Sequence, residues 1–214
     1  MIKLFFDIET IPSAEEHKEK HLEILRSKKK YESMEDDLIH VNTSLDGTFG
    51  RICCIGIIKE GPQGVIFKDV LRGSEKEMLT KFWDLARGVW RYVGHNVWGF
   101  DMPFVVQRSI INNVRPLGIN FRRYMKEPLY DTMLEWTFWN FDREKMPKLD
   151  TLAKVLGLPS SKDDMDGSMV WQYYQDGRLE DICKYCMKDV ELTRQVYYRM
   201  SFEETPSESK DIPF

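Results

Sequence analysis

Asp7 and Glu9 lie two residues apart in the apolar run Leu4-Phe5-Phe6-Asp7-Ile8-Glu9-Thr10. Side chains of a strand alternate between faces, so these two carboxylates point the same way. Adjacent anions repel, and burying them unpaired is costly. A divalent cation resolves that conflict. Carboxylate oxygens with no His or Cys beside them in the sequence favour Mg²⁺ or Mn²⁺ over zinc.

A third carboxylate, Asp101, sits in YVGHNVWGFDMPFVVQ, two residues before Pro103. Proline is tolerated in a first helical turn, so the spacing predicts a helix from Asp101 to Ile111 with Asp101 as its N-cap. Capping alone accounts for that residue. The surrounding Asn96, Trp98, Phe100 and Phe104 also suit a nucleobase or sugar stacked beside a metal site, with plain core packing the competing reading for both phenylalanines. A fourth carboxylate, Asp189, stands four residues after Tyr185 in KYCMKDVEL. On a helix the two share a face. They are either an ordinary solvated pair or a phenol placed to orient water beside a metal.

The elements that must carry these residues are legible in outline. Strands are expected at Ile2–Phe6, Arg51–Lys59, Val65–Leu71, Val89–Gly94 and Tyr130–Met133, with a tight turn at Gly61-Pro62 joining two of them as a hairpin. Ser74 and Glu77 read as a capping box opening a helix to Ala86. Further helices are expected at Asp150–Leu156 and Leu179–Met200. Ser13–Met34 is highly charged with partial helical periodicity, and Ser160–Met169 reads as polar loop. Asp131 reads as a turn or cap residue near the site. Trp136 and Trp139 read as core.

At 214 residues, 42% hydrophobic and 31% charged, the chain is long enough for one full core and has ordinary soluble composition. Its formal charge of −4 announces no polyanion partner. Local basic clusters at Arg26 with Lys28-Lys29-Lys30, and at Arg122-Arg123 with Lys126, could still meet phosphate or be solvated faces. No apolar run reaches a membrane span and no signal segment opens the chain, so a cytoplasmic location is the default. Cys53 and Cys54 read as buried thiols; Cys183 and Cys186 form one CxxC, for which packing outweighs zinc or redox chemistry. One domain is expected over 1–202, with 203–214 as a disordered tail.

FDIET, GHNVWGFDMPF and YCMKD together resemble, in that order, the three motifs of the DEDD superfamily of 3′–5′ exonucleases. Tyr185, four residues before Asp189, matches the DEDDy branch; the sister branch carries His at the position that is Lys184 here. The middle motif looks most like the proofreading exonuclease domain of family B DNA polymerases, without room for the polymerase itself.

The resemblance implies a ribonuclease H-like α/β fold, a mixed five-stranded sheet flanked by helices on both faces. It implies a metal-dependent 3′–5′ exonuclease that releases nucleoside monophosphates from nucleic acid, with single-stranded DNA 3′ ends as the leading substrate. Asp7, Glu9, Asp101 and Asp189 would hold two divalent ions, Mg²⁺ or Mn²⁺, and Tyr185 would orient the attacking water. Thr10, Asn96, Phe100 and Phe104 would meet the terminal nucleotide. The same chemistry on RNA is an alternative. A non-catalytic nucleic-acid adaptor on the same scaffold is another, opposed by the presence of all four carboxylates and the tyrosine. A structural subunit docking through Asp211–Phe214 is a third. The segment after Pro12 matches nothing in the family pattern.

Overall fold

Lys3–Ile11 forms β1, the central strand of a five-stranded sheet with order β3-β2-β1-β4-β5. The computed structural model describes residues 1–117, 127–159 and 165–206. The partners of β1 are β2 (Arg51–Gly61), β3 (Gly64–Leu71), β4 (Arg91–Gly94) and β5 (Leu129–Asp131). β1–β2 and β2–β3 pair antiparallel, whereas β1–β4 and β4–β5 pair parallel. This is the mixed α/β sheet of the ribonuclease H-like expectation.

The strand burying the first two acids is longer than expected. β1 runs past Phe6 to Ile11, because β2 pairs with it down to Arg51, with a register shift between Glu9 and Thr10. β5 is shorter than expected. It stops at Asp131, whose carboxylate caps a helix over Thr132–Trp136.

Eight α-helices are described: α1 (Lys18–Arg26), α2 (Asp36–Asn42), α3 (Glu75–Leu85), α4 (Asp101–Ile111), α5 (Thr132–Trp136), α6 (Leu149–Val155), α7 (Val170–Gln175) and α8 (Leu179–Ser201). The Ser74–Glu77 capping box opens α3 as expected. Helices α2, α5 and α7 have seven, five and six residues, too short to show a period in sequence.

Leu4, Phe6 and Ile8 pack with α3 and α4 residues such as Phe82, Trp83, Phe104 and Val105. Phe5, on the opposite face, packs with Val190, Tyr197 and Tyr198 of α8. Both faces are therefore covered, and the odd-numbered residues of β1 face α8. Gly56, paired with Asp7, permits the close approach of that helix. A Cβ there would lie 2.9 Å from Val190 Cγ2 and 3.0 Å from Cys186 Sγ. Farther along, buried Glu60 of β2 accepts from Arg194 Nε of α8 at 2.8 Å and from the Tyr198 hydroxyl. Together these contacts set the register of α8 over the acids.

The charged segment after Pro12 is ordered into a small cap beside the end of β1. Leu25, Tyr31, Ile39 and Phe49 form its own core. Buried polar bonds tie it down: Ser13 N donates to Thr43 Oγ1 at 2.9 Å, and His40 Nε2 lies 3.0 Å from Ser13 O. At the other end of the chain, Glu203 is not loose. It accepts from Tyr197 at 2.7 Å and pairs with Lys3 and Arg91. The expected docking peptide and most of the expected tail, 207–214, lie outside the described residues, as do Arg122, Arg123 and Lys126. So does 160–164 of the polar loop, which beyond it gives way to a short 3₁₀ turn at Gly167–Met169 and to α7.

Two expectations about packing fail. Trp136 is 43% exposed and Trp139 only half-buried, so neither is core. α5 ends at Trp136, and no helical face continues inward to carry them.

Candidate active site

Asp7 and Glu9 project from β1 toward α8, as their spacing predicts. Glu9 is buried and Asp7 half-buried. One ligand atom each from Asp7, Glu9 and Cys186 lie within 4.8 Å of one another. Asp101 arrives from the far side of the sheet. It is the first residue of α4, and the N-cap position falls on Phe100. Its Oδ1 accepts from Ile8 N at 3.1 Å, between the first two acids, so its carboxylate is used by β1 as well as by its own helix. Asp189 and Tyr185 are both half-buried on α8, one turn apart, and Asp189 is among the groups that raise the Tyr185 phenol.

The electrostatics show that the acids form one cluster. Burial first, then the charges of Asp101, Glu9 and Asp189, raises the Asp7 carboxyl well above its usual range. Glu9 is likewise raised, by burial and then by Cys186, Cys53, Asp189 and Asp101. Burial pushes Asp101 up to about 7, against the N–H bonds that oppose it. Burial and the neighbouring carboxylates also raise the phenol of Tyr185, which is therefore neutral at ordinary pH. A cage of oxygen donors that repel one another when ionised is a charge distribution that a hard cation relieves.

Three residues complete the site that the linear motifs did not assign to it. Cys186 is fully buried, with Sγ 3.7 Å from Asp7 Oδ2 and 3.5 Å from Asp7 O. Its sequence signals were its place beside Tyr185 and its CxxC with Cys183, neither of which assigned it to the site. All four cysteines are free and buried, which fits packing rather than a disulfide. Asp131 does more than cap α5. Its carboxylate accepts from Met133 N and Leu134 N at 3.0 and 3.3 Å. It also accepts from Asn96 N and Trp98 N, both at 3.0 Å. It thereby fixes the loop that leads into Asp101. His95 is the other tie: Nδ1 lies 2.9 Å from Thr132 Oγ1 and Nε2 donates to Pro147 O at 3.0 Å. Burial lowers its pKa to about 4, so it is a neutral strut.

The residues expected to grip substrate fall around this loop. Thr10 Oγ1 donates to Ser44 O at 2.7 Å and joins the end of β1 to the charged cap. Asn96 has a left-handed backbone (φ 60°) and folds its side chain over Gly99. Phe100 is half-buried, its ring tilted 51° to that of Phe104 at 5.5 Å, and Phe104 belongs to the main core. A cavity of about 270 Å³ lies on the side of the cap, bordered by Lys30, Tyr31, Asn42, Phe100, Phe104 and Gln107. A second, of about 590 Å³, lies across Gly99, bordered by Asn96, Trp98, Met133, Phe141 and Met146. Within the basic stretch, Arg26 is engaged by Asp36, and Lys28 and Lys30 lie over the rings of Phe49 and Tyr31.

A family model described as a predicted 3′–5′ exonuclease related to the exonuclease domain of PolB matches residues 45–211. The chain belongs to that family. The matched span carries Asp101, Tyr185 and Asp189, while Asp7, Glu9 and the charged cap precede it. No curated protein sequence matches the chain. Among the described residues, no helix is long and apolar enough to cross a membrane.

Proposed function

We propose that the protein is a metal-dependent 3′–5′ exonuclease that hydrolyses the terminal phosphodiester of single-stranded DNA and releases nucleoside monophosphates. The observation that carries this reading is the convergence of Asp7, Glu9, Asp101 and Asp189 from three separate elements, with the charges of Asp101 and Asp189 raising both Asp7 and Glu9.

Asp7, Glu9, Asp101 and Asp189 would hold two Mg²⁺ or Mn²⁺ ions, which supply a nucleophile at neutral pH and charge stabilisation for the leaving oxygen. The chain's own residues do the rest. Ile8 N–H and Asp131 hold Asp101 and its loop in place. Neutral Tyr185 offers a hydrogen-bond donor beside Asp189, and its role is to align water rather than to remove a proton. Thr10, near the end of β1, and Asn96 and Phe100, in the loop before Asp101, would meet the terminal nucleotide.

The direct test is end-labelled single-stranded DNA, duplex DNA and RNA incubated with Mg²⁺, Mn²⁺ or EDTA. Shortening from the 3′ end, dependent on metal and fastest on single-stranded DNA, is expected. No shortening of any substrate would leave the adaptor reading in its place. Tyr185→Phe is expected to lower kcat about 10- to 100-fold, the scale of a misaligned nucleophile, and less than Asp189→Ala. Equal losses would mean the phenol does more than align water.

Metal binding has a readout independent of turnover. A saturating divalent ion at a hundred times its Kd adds about 2.7 kcal/mol of stability, which in a chain of this size raises Tm by roughly 5–10 °C. Asp7→Asn should lose most of that rise. In EDTA the order reverses. A carboxyl with a raised folded pKa keeps its proton longer than in the unfolded chain, so its contribution falls as pH climbs through the window between the two values. For Asp7, raised well above the usual range, that window opens at about 4, the unfolded value, and extends upward. Metal-free Asp7→Asn should therefore be more stable than the parent near pH 7, with the gap closing toward pH 4. Thermal scans that show a constant gap would argue that the acids do not repel.

A further inference from the structure

The family match starts at residue 45 and leaves the charged cap after Pro12 without a role. The cap is nonetheless built against the candidate site. Thr10, which follows Glu9, donates to Ser44 O of the cap at 2.7 Å. On its other side the cap packs on α4, whose first residue is Asp101. Gly47 permits that approach: a Cβ there would lie 2.3 Å from Gln107 Oε1 and 3.1 Å from Phe104 Cα. Arg108, paired with Glu75 at 2.8 Å, donates to Gly47 O at 3.5 Å and fastens the same seam.

The cavity of about 270 Å³ lies along this seam. Phe100 and Phe104 give it aromatic walls, and Phe100 adjoins Asp101 in the chain. Polar groups on its border are unspent. Among the described residues, the Tyr31 hydroxyl and the Gln107 amide have no hydrogen-bond partner. Asn42 donates from Nδ2 to Leu38 O at 2.8 Å, while its Oδ1 accepts from no described residue. Asp46 also borders the cavity, with Oδ1 taken up by Thr48 N at 2.9 Å. Lys30 completes the border. It ends the run Lys28-Lys29-Lys30, all exposed and none with a carboxylate partner among the described residues, whereas Arg26 is paired with Asp36. Lys28 Nζ lies 5.5 Å from the ring centroid of Phe49, and Lys30 Nζ 5.0 Å from that of Tyr31. Both rings belong to the core of the cap, which thereby places these two cations.

We infer that the cap is a grip for single-stranded nucleic acid: Lys28–Lys30 hold its phosphate backbone, and the cavity along the seam takes one of its unpaired bases. A strand satisfies every unspent group at once. Phosphates meet the ammonium groups, a base lies against the aromatic wall, and its polar edge meets the Asn42 and Gln107 side chains. The cavity is a little smaller than the roughly 300–1,000 Å³ of sites for drug-sized ligands, which suits one base rather than a run of them. A paired, stacked base cannot enter it. The inference rests on the nuclease reading and adds to it the element that holds the strand.

The test is fluorescence anisotropy of a short 5′-labelled single-stranded DNA oligonucleotide at several salt concentrations, in EDTA so that the strand stays whole. Lys30→Gln is expected to bind about fivefold more weakly near 0.1 M salt. It should also lower the slope of log K against log salt by about 0.7, the value of one single-strand phosphate contact. Gln107→Ala is expected to bind at least about threefold more weakly, the scale of one hydrogen bond, with the slope unchanged. On a strand of equal length with abasic positions at its 3′ end, Gln107→Ala should match the parent while Lys30→Gln keeps its loss. Both residues are exposed, so both variants should melt within about 2 °C of the parent. A parental slope in Lys30→Gln would overturn the proposal, as would parental affinity in Gln107→Ala or an equal Gln107→Ala loss on the abasic strand. A parent that binds no strand at low salt would overturn it too, because phosphate contacts at the cap need no metal. Cleavage by the parent is assayed separately in Mg²⁺. Binding through Lys30 without shortening defeats the nuclease reading and leaves the grip standing. Shortening by the parent, with parental binding in both variants, defeats the grip alone.

Discussion

Asp7→Ala is expected to lower exonuclease turnover by about 10²–10⁴-fold, measured on end-labelled single-stranded DNA in saturating Mg²⁺. The size follows from the several kcal/mol of transition-state stabilisation that bound metal supplies, at one factor of ten per 1.36 kcal/mol. Asp7 is the central member of the cage: Asp101, Glu9 and Asp189 all raise it. It is also the residue that Cys186 touches. The fold should survive, because the substitution removes a repelling charge along with the metal site. Circular dichroism and a metal-free Tm at or above the parental value are the controls. Parental turnover in a folded Asp7→Ala protein would show that the assignment of the site is wrong.

Asp131→Ala should act by a different route, and its expected effect on stability is the largest of any single substitution considered. Asp131 is 1% exposed and accepts four backbone N–H groups, two from the loop before Asp101 and two from α5. Alanine strands those donors in the interior. A buried donor without a partner costs about 1–3 kcal/mol, and partial relaxation makes the total on the order of 3–5 kcal/mol. In a chain this long that lowers Tm by roughly 6–20 °C. Loss of activity at temperatures where the variant is still folded should follow, because Asn96 and Trp98 position Asp101. Asp131→Asn is the discriminating companion: its amide oxygen can still accept from part of the set, so it should fall between parent and alanine. If Asp131→Ala melts within 2 °C of the parent, taken as roughly the shift from 1 kcal/mol, the loop is held by something else.

These two substitutions divide the site by how it could be read. Asp7 and Glu9 announce themselves through a two-residue spacing in an apolar strand, and Tyr185 and Asp189 through a four-residue spacing on a helix. Those are local periodicities, and the structure places all four where the periods say. The family match covers the second and third motifs and the cap-to-tail body, and leaves the first motif to its own chemistry. Asp131 looked like an ordinary cap, and it is one. Its second pair of hydrogen bonds reaches 33 and 35 residues back along the chain, which no local pattern encodes.

The same contrast explains the misread tryptophans. Hydrophobic spacing indicates which side chains could be buried, and the early end of α5 decides that Trp136 is not.

By itself the sequence carried the spacing of the acids and the tyrosine, their strand and helix supports, and the family's order of motifs. Spacing along one element is a property of neighbouring residues, and periodicity preserves it. Tertiary structure alone decided that Asp101 leans on β1 through Ile8, and that Cys186 closes on Asp7 across 179 residues. It alone turned the charged segment after Pro12 into a cap, and tied the loop before Asp101 to Asp131. Each of these is a long-range contact, whose geometry exists only after the sheet and α8 have packed.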